Sequence, residues 1–238
     1  MPMEPASDMK GTALRLFRGL AHSYDATVEY MTLFQDRYWK RWVAERIAGQ
    51  GDLVLDIGCG TLLMEERLSD WRCRFIGLDL SEEMVSGGQS KNLRNVALLM
   101  RGDAESLPFP SEIFDAVISC YVPKYVSVTK FVRELARVTR PGGIVALYDF
   151  ARPRGPLGPV IEIYIQGGLR AAGRLLGLAG KDAAFAFVNL PKIVDGTVWD
   201  RKIVHAMEEK GFETIAAERL TGGVVFAFSG RRRWRPQA

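Results

Sequence analysis

The stretch Val54-Leu55-Asp56-Ile57-Gly58-Cys59-Gly60-Thr61 decides how this chain folds. Its first half is rich in Val, Leu and Ile, which is typical of a buried strand. The two glycines that follow, Gly58 and Gly60, permit a tight turn and let a ligand approach the backbone closely. The stretch therefore predicts a strand that ends in a ligand-binding turn.

Strand and helix patterns alternate from this stretch to residue 150. The further apolar runs that predict strands are 73–79, 96–101, 114–120 and 144–150. Consecutive apolar strands that are separated by helices form a parallel sheet covered on both faces. Two closing runs, 212–218 and 224–229, are joined through Thr221-Gly222-Gly223 and predict an antiparallel pair. The predicted fold class is α/β, a doubly wound and mostly parallel seven-stranded sheet whose last strand is antiparallel.

The ends of the chain differ from this alternating region. We predict an N-terminal helical cover at residues 1–48 and the main domain at 49–238, with a helical insertion at about 155–195. Within the insertion, segment 157–178 carries apolar residues at i, i+3, i+4 and i+7, which indicates an amphipathic helix. Three interpretations stay open for it: packing on the domain, a lid over an apolar substrate pocket, or contact with a bilayer surface.

Composition excludes several classes of protein. The chain has 238 residues, a net charge of +4 and 47% hydrophobic residues, which excludes a disordered, collagen-like or coiled-coil chain. Three scattered cysteines without a CxxC pair argue against a disulfide framework or a metal site. Without an apolar run of 18 residues or a leader, we expect a cytoplasmic protein with peripheral membrane contact left open. Charge signs are mixed outside the basic tail, so no nucleic-acid partner is expected, and the oligomeric state stays unassigned.

Acidic residues follow several predicted strands. Asp56, Asp79 and Asp103 are 23 and 24 residues apart, one strand–helix unit each, so we expect them at one edge of the sheet. A dinucleotide fits poorly, because Leu63 replaces the third glycine of its fingerprint and Asp56 would repel pyrophosphate. S-adenosylmethionine (SAM) has an ammonium and a ribose but no phosphate. It suits the acids, with Asp79 accepting from the ribose hydroxyls and Asp103 from the adenine amino group.

Several runs resemble class I SAM-dependent methyltransferases. They are residues 54–61, Gly77-Leu78-Asp79-Leu80-Ser81-Glu82-Glu83-Met84, Gly102-Asp103-Ala104-Glu105-Ser106-Leu107-Pro108-Phe109, Phe114-Asp115-Ala116-Val117 and Arg137-Val138-Thr139-Arg140-Pro141-Gly142-Gly143. Within this class the chain is similar to the ubiquinone/menaquinone biosynthesis C-methyltransferases. That likeness lies in Tyr24-Asp25, Trp39-Lys40-Arg41, Asp149-Phe150-Ala151-Arg152-Pro153 and Leu220-Thr221-Gly222-Gly223-Val224-Val225. The resemblance covers about residues 20–150 and implies the Rossmann-like methyltransferase fold.

The resemblance also implies a set of SAM contacts, with Tyr24 closing over the cofactor. The positions are Tyr24, Asp56, Gly58, Cys59, Gly60, Asp79, Leu80, Met84, Gly102, Asp103, Ala104 and Cys120. Cys59 is expected to be an inert buried thiol. This sequence departs from the pattern twice: Leu62-Leu63 replaces the usual third glycine, and Pro123-Lys124-Tyr125 stands where those enzymes often have an Arg-Asn pair.

The predicted function is SAM-dependent C-methylation of the ring of a hydrophobic isoprenoid quinol. Such chemistry needs a group that removes the ring hydroxyl proton or stabilises the resulting anion. Candidates are Asp149 at a strand end, His22 beside Tyr24, and Lys124 through its charge; no metal is predicted. Two alternatives stay open: a SAM-dependent methyltransferase acting on another lipid or small metabolite, and a SAM-binding protein without turnover.

Overall fold

The structure, a computed structural model, describes residues 6–17, 21–154, 158–163, 194 and 196–234. Its helices are α1 Ala6–Phe17, α2 Tyr24–Met31, α3 Asp36–Ile47, α4 Leu63–Arg67, α5 Glu82–Ser90, α6 Val128–Val138, α7 Gly158–Ile163 and α8 Trp199–Glu209, with 3₁₀ turns at Pro123–Tyr125 and Thr221–Gly223. Its strands are β1 Leu53–Ile57, β2 Arg74–Asp79, β3 Val96–Arg101, β4 Phe114–Cys120, β5 Thr139–Phe150, β6 Phe212–Leu220 and β7 Val225–Arg232.

The strands form one seven-stranded sheet in the order β3-β2-β1-β4-β5-β7-β6. Strands β1 to β5 pair in parallel, whereas β7 is antiparallel to both β5 and β6. The predicted fold class is thereby confirmed. Because the strand order reverses between β1 and β4, a crevice opens at their carboxyl ends, where open α/β sheets bind ligands.

Side-chain alternation along the strands divides the core into two layers. Leu55 and Ile57 face α6 and α8 in one apolar cluster. Val54 faces the other side and packs in a second cluster with Trp39 of α3 and Met64 of α4. Since successive strand residues point to opposite faces, Asp56 shares the face of Val54. The residue that opens the ligand-binding turn therefore points toward α3 and α4.

The predicted N-terminal cover contains two structurally different parts. Helix α3 is embedded in the core, because Trp39 and Trp42 pack against the sheet. Helix α1 belongs to a separate small cluster in which Ala13 packs with Met84 and Tyr125. Of the predicted insertion and its segment 157–178, only α7 and residue 194 are described, and the rest lies outside the described residues.

The turn after β1 ends in a left-handed residue that is not a glycine. Leu62 has φ 64° and ψ 33°, directly before α4, and its side chain is buried. A non-glycine residue in this conformation costs roughly 1–2 kcal/mol. The burial of the Leu62 side chain offsets that cost.

Candidate active site

A cavity lies at the carboxyl ends of β1 to β4, where open α/β sheets bind ligands. Most of the residues predicted to contact the cofactor line it. They are Tyr24, Gly58, Gly60, Asp79, Leu80, Met84, Gly102, Asp103, Ala104 and Cys120. Helix α1 closes the cavity from above with Lys10, Ala13, Leu14 and Phe17.

Asp79, at the end of β2, ties two backbone segments together. Its carboxylate accepts hydrogen bonds from the backbone N–H of Gly60 at 2.9 Å and of Ser81 at 2.8 Å. Ser81 in turn caps α5 by accepting from the N–H of Met84, as its position in the sequence suggests. An ionised carboxylate has about four lone-pair sites, so Asp79 retains acceptor capacity toward the cavity. Burial raises the pKa of Asp79 above its ordinary value.

Asp103, at the end of β3, is held by a lysine from the covering helix. The Lys10 Nζ lies 2.7 Å from an Asp103 oxygen and 2.8 Å from Glu105. Burial opposes ionisation of Asp103, but the Lys10 ammonium and the backbone N–H of Glu105 lower its pKa. These contacts fasten α1 across the cavity at the end where the adenine is predicted to lie.

Asp56 and Cys59 are the predicted cofactor positions that do not line the cavity. Asp56 is 2% exposed and lies on the α4 face of the sheet, next to the fully buried Glu65. Within the described residues, Asp56 Oδ1 and both carboxyl oxygens of Glu65 lack hydrogen-bond partners. A proton on one of the two carboxyls lets it donate to the other, which satisfies two of these three oxygens. Burial raises the pKa of Cys59 well above its usual range, so the Cys59 thiol is protonated.

The sharing of a proton follows from the burial of both acids. Burial, followed by the charge of Glu65, raises the pKa of Asp56 well above its ordinary value. Burial also raises the pKa of Glu65 to about 7. Glu65 therefore titrates near neutral pH, on the side of the ligand-binding turn that faces away from the cavity.

Replacing Glu65 by glutamine should stabilise the protein at pH 8. A carboxyl with a pKa of about 7 in the folded state and 4.5 in the unfolded chain stabilises the fold below pH 4.5 and loses that contribution as the pH rises through 7. Glutamine does not ionise, so the variant does not lose stability in this pH range. Its free energy of unfolding should therefore exceed that of the wild type by up to about 3 kcal/mol at pH 8. Urea unfolding at pH 5 and pH 8 measures the difference.

Glu66→Gln is the matched control for this prediction. The Glu66 side chain is 49% exposed and pairs with Lys91 at 2.7 Å, so its replacement should change stability by less than about 1 kcal/mol at either pH. An advantage of Glu65→Gln that is equal at pH 5 and pH 8 would contradict the shared proton.

The three predicted catalytic side chains do not line the cavity. Lys124 and Asp149 form an ion pair with 2.7 Å between Nζ and Oδ1, and their side chains are 1% and 0% exposed. His22 is exposed and lies just before α2. Asp149 also accepts from the backbone N–H groups of Lys124 and Phe150. The pair therefore fastens the turn after β4 to the end of β5.

A second buried polar group, which was not predicted from the sequence, lies beside the cavity. Lys40 is buried and pairs with Asp36 at 2.6 Å, although its neighbours in the sequence suggest a solvated charge. The hydroxyls of Tyr121 and Tyr148 also donate to Asp36. Tyr121, which lines the cavity, has φ 66°. No local pattern marks this group, because its members come from distant parts of the chain.

The residues around the cavity fit SAM. The backbone at Gly58 has φ 77°, and an added Cβ would lie 2.1 Å from Val122, so only glycine leaves the turn open. Tyr24 approaches to 3.5 Å from the position of a Cβ at Gly60 and covers the turn from above. Asp79 offers acceptors to a ribose, and the cavity wall is largely apolar. Fold and site together define a SAM-dependent methyltransferase.

Comparison with known proteins narrows this class to a family. A family described as a methyltransferase domain matches residues 55–147. Demethylmenaquinone methyltransferase of Mycobacterium marinum is 32% identical over 93% of this chain and 93% of its own length, and that of Mycolicibacterium gilvum is 32% identical over 88% and 90%. A SAM-dependent methyltransferase from Aquifex aeolicus, 17% identical, shares the fold with a TM-score of 0.56 over 81% of this chain and 88% of that one. The chain belongs to the same family as the demethylmenaquinone methyltransferases.

Proposed function

We propose that this enzyme transfers the SAM methyl group to a ring carbon of an isoprenoid quinol. The observation that carries the proposal is the 32% identity to demethylmenaquinone methyltransferases over nearly the whole of both chains. The apolar cavity wall, with Leu14, Phe17 and Val126, suits an aromatic acceptor with a hydrocarbon tail.

The cofactor contacts follow from the order of strands along the sheet edge. We propose that Asp103 and Ala104 at β3 hold the adenine end, Asp79 at β2 accepts from the ribose, and Gly58 and Gly60 at β1 hold the amino-acid end. SAM supplies an activated methyl group on a positively charged sulfur. Asp56 and Cys59 support the turn after β1 from the side that faces away from the cavity.

The protein contributes alignment and exclusion of water. Methyl transfer is an in-line displacement, so holding donor and acceptor in contact lowers the barrier. We propose that α1, fastened by Lys10, and Tyr24 of α2 cover the site. Because Lys124 and Asp149 are buried and pair with each other, we propose that they position the turn after β4. We also propose that His22 has no contact with the acceptor.

A quinol assay tests the proposed function. Purified enzyme, SAM and a short-chain demethylmenaquinol should yield the ring-methylated product and S-adenosylhomocysteine, detected by mass spectrometry. The oxidised quinone is the matched control and should give no product, because it has no hydroxyl to make its ring nucleophilic. Turnover of a lipid amine or a small metabolite, with none of the quinol, would favour another acceptor, and SAM binding without any turnover would favour a binding protein.

Peripheral contact with a bilayer is part of this proposal, because an isoprenoid quinol resides in membranes. Among the described residues, no helix combines the length and apolar character needed to cross a bilayer. Flotation of the enzyme with vesicles that contain the quinol, compared with protein alone, tests whether it binds the membrane surface.

A further inference from the structure

Tyr125 is a tyrosine beside the cavity whose hydroxyl is buried and has no partner among the residues that the structure describes. Tyr125 ends the 3₁₀ turn after β4, lines the cavity and is 5% exposed. Its hydroxyl oxygen makes no hydrogen bond within the described part of the chain. A buried hydroxyl without a partner costs about 1–3 kcal/mol, so a retained one calls for an explanation, and a catalytic role is one such explanation.

The position of Tyr125 places it on the acceptor side of the cavity. Under the proposed function, the adenosine occupies the edge at β3 and β2 and the methionine end lies at β1. The next strand along the sheet is β4, and Tyr125 follows β4 directly. The turn that carries Tyr125 therefore lies on the side from which an acceptor must approach the sulfonium methyl group.

The surroundings of Tyr125 hold its ring in place. Lys124 Nζ lies 4.2 Å from the centre of the Tyr125 ring, and Phe17 of α1 packs edge-on against it at 6.0 Å. The ammonium is itself fixed by Asp149 and by the backbone oxygen of Tyr121, each at 2.7 Å. A fixed donor costs little reorganisation when it binds a developing anion.

We propose that Tyr125 is a catalytic residue whose hydroxyl donates a hydrogen bond to the acceptor oxygen that feeds electrons into the ring. The acceptor oxygen loses its proton to solvent and its electrons pass into the ring. The ring carbon then forms a bond to the methyl carbon as the bond from methyl to sulfur breaks. The ring hydrogen at that carbon leaves as a proton to solvent, and the product oxygen regains a proton from solvent. Tyr125 keeps its own proton throughout.

The protonation state of Tyr125 agrees with a donor role. Burial, followed by the negative charge of Asp149, raises the pKa of Tyr125 well above its ordinary value. The phenol is therefore neutral at physiological pH and acts as a hydrogen-bond donor, whereas proton abstraction would require its anion.

Tyr125→Phe tests the proposal, because it removes the hydroxyl and keeps the ring. We expect kcat for the quinol to fall by about 10- to 100-fold, with SAM affinity unchanged by calorimetry and a melting temperature equal to or above that of the wild type. The last expectation separates catalysis from a structural role, since an unpartnered hydroxyl contributes no bond to the fold. Tyr38→Phe, at a half-exposed tyrosine of α3, is the matched control and should match the wild type.

A naphthol titration tests Tyr125 independently of the proposed acceptor. With S-adenosylhomocysteine present, the wild type should bind 4-methoxy-1-naphthol and lower its ionisation midpoint by about one pH unit more than Tyr125→Phe does, as read from the phenolate absorbance. If the wild type shows this shift but does not methylate quinols, the proposed quinol acceptor is wrong and the donor role of Tyr125 is supported. Equal midpoints, no binding of the naphthol, or weakened SAM binding in Tyr125→Phe would each overturn the role of Tyr125.

Discussion

Asp79→Asn should weaken SAM binding by about 100-fold or more. The substitution removes the charge that strengthens hydrogen bonds from the ribose hydroxyls, and each such bond contributes roughly 1.5–3 kcal/mol. It also replaces an oxygen that accepts from the Gly60 or Ser81 backbone N–H with a donor. The ligand-binding turn therefore loses a contact as well. Calorimetric titration with SAM measures the change.

Asp70→Asn is the control for this substitution, since Asp70 is exposed and outside the cavity. Its SAM affinity should equal that of the wild type. Thermal unfolding of Asp79→Asn without SAM shows whether the fold itself survives. An Asp79→Asn variant that folds and binds SAM as tightly as the wild type would remove the proposed ribose contact.

Lys124→Met should cause the largest loss of stability, about 3–5 kcal/mol, because it leaves Asp149 buried without its counter-ion. A loss of this size corresponds to a fall in melting temperature of roughly 6–20 °C for a chain of this length. Without the ammonium, Asp149 must take up a proton to stay buried, so the loss should be greater at pH 8 than at pH 5. Thermal unfolding at the two pH values measures both effects.

Two further variants complete this test. Adding Asp149→Asn to Lys124→Met should recover part of the stability, because the uncompensated charge is removed. Arg41→Met breaks an exposed pair with Glu45 and should cost less than about 1 kcal/mol. If Lys124→Met is no more harmful than Arg41→Met, the buried pair does not hold the turn after β4.

The sheet could be predicted from the sequence because its strands are short apolar runs bounded by turn residues. Leu55, Phe75 and Val117 lie in such runs, and each is fully buried. Burial on both faces requires apolar residues at consecutive positions, and this requirement is visible in the local sequence. The glycines after β1 mark the edge of the sheet at which the cavity lies.

Which of the acidic residues line the cavity could be predicted only in part. Asp79 and Asp103 line the cavity. A residue at the end of a parallel strand lies at the carboxyl edge of the sheet, regardless of how side chains alternate within the strand. Asp56 lies one position earlier, within the alternating part of β1, and its side chain is directed to Glu65 of α4. Spacing along the chain predicts that acids share an edge, but it does not predict which of them point into it.

The sequence by itself determined the strand–turn–helix units, the ligand-binding turn and the presence of acids at the strand ends, because these depend on local burial and backbone freedom. Only the tertiary structure decided that Lys124 pairs with Asp149, that Asp56 lies against Glu65, and that the hydroxyl of Tyr125 has no partner among the described residues. Each of these outcomes depends on contacts between side chains that meet only in the folded protein, where solvent is excluded. Desolvation makes an unpaired charge or hydroxyl costly only once the fold has excluded solvent, so no local pattern records the outcome.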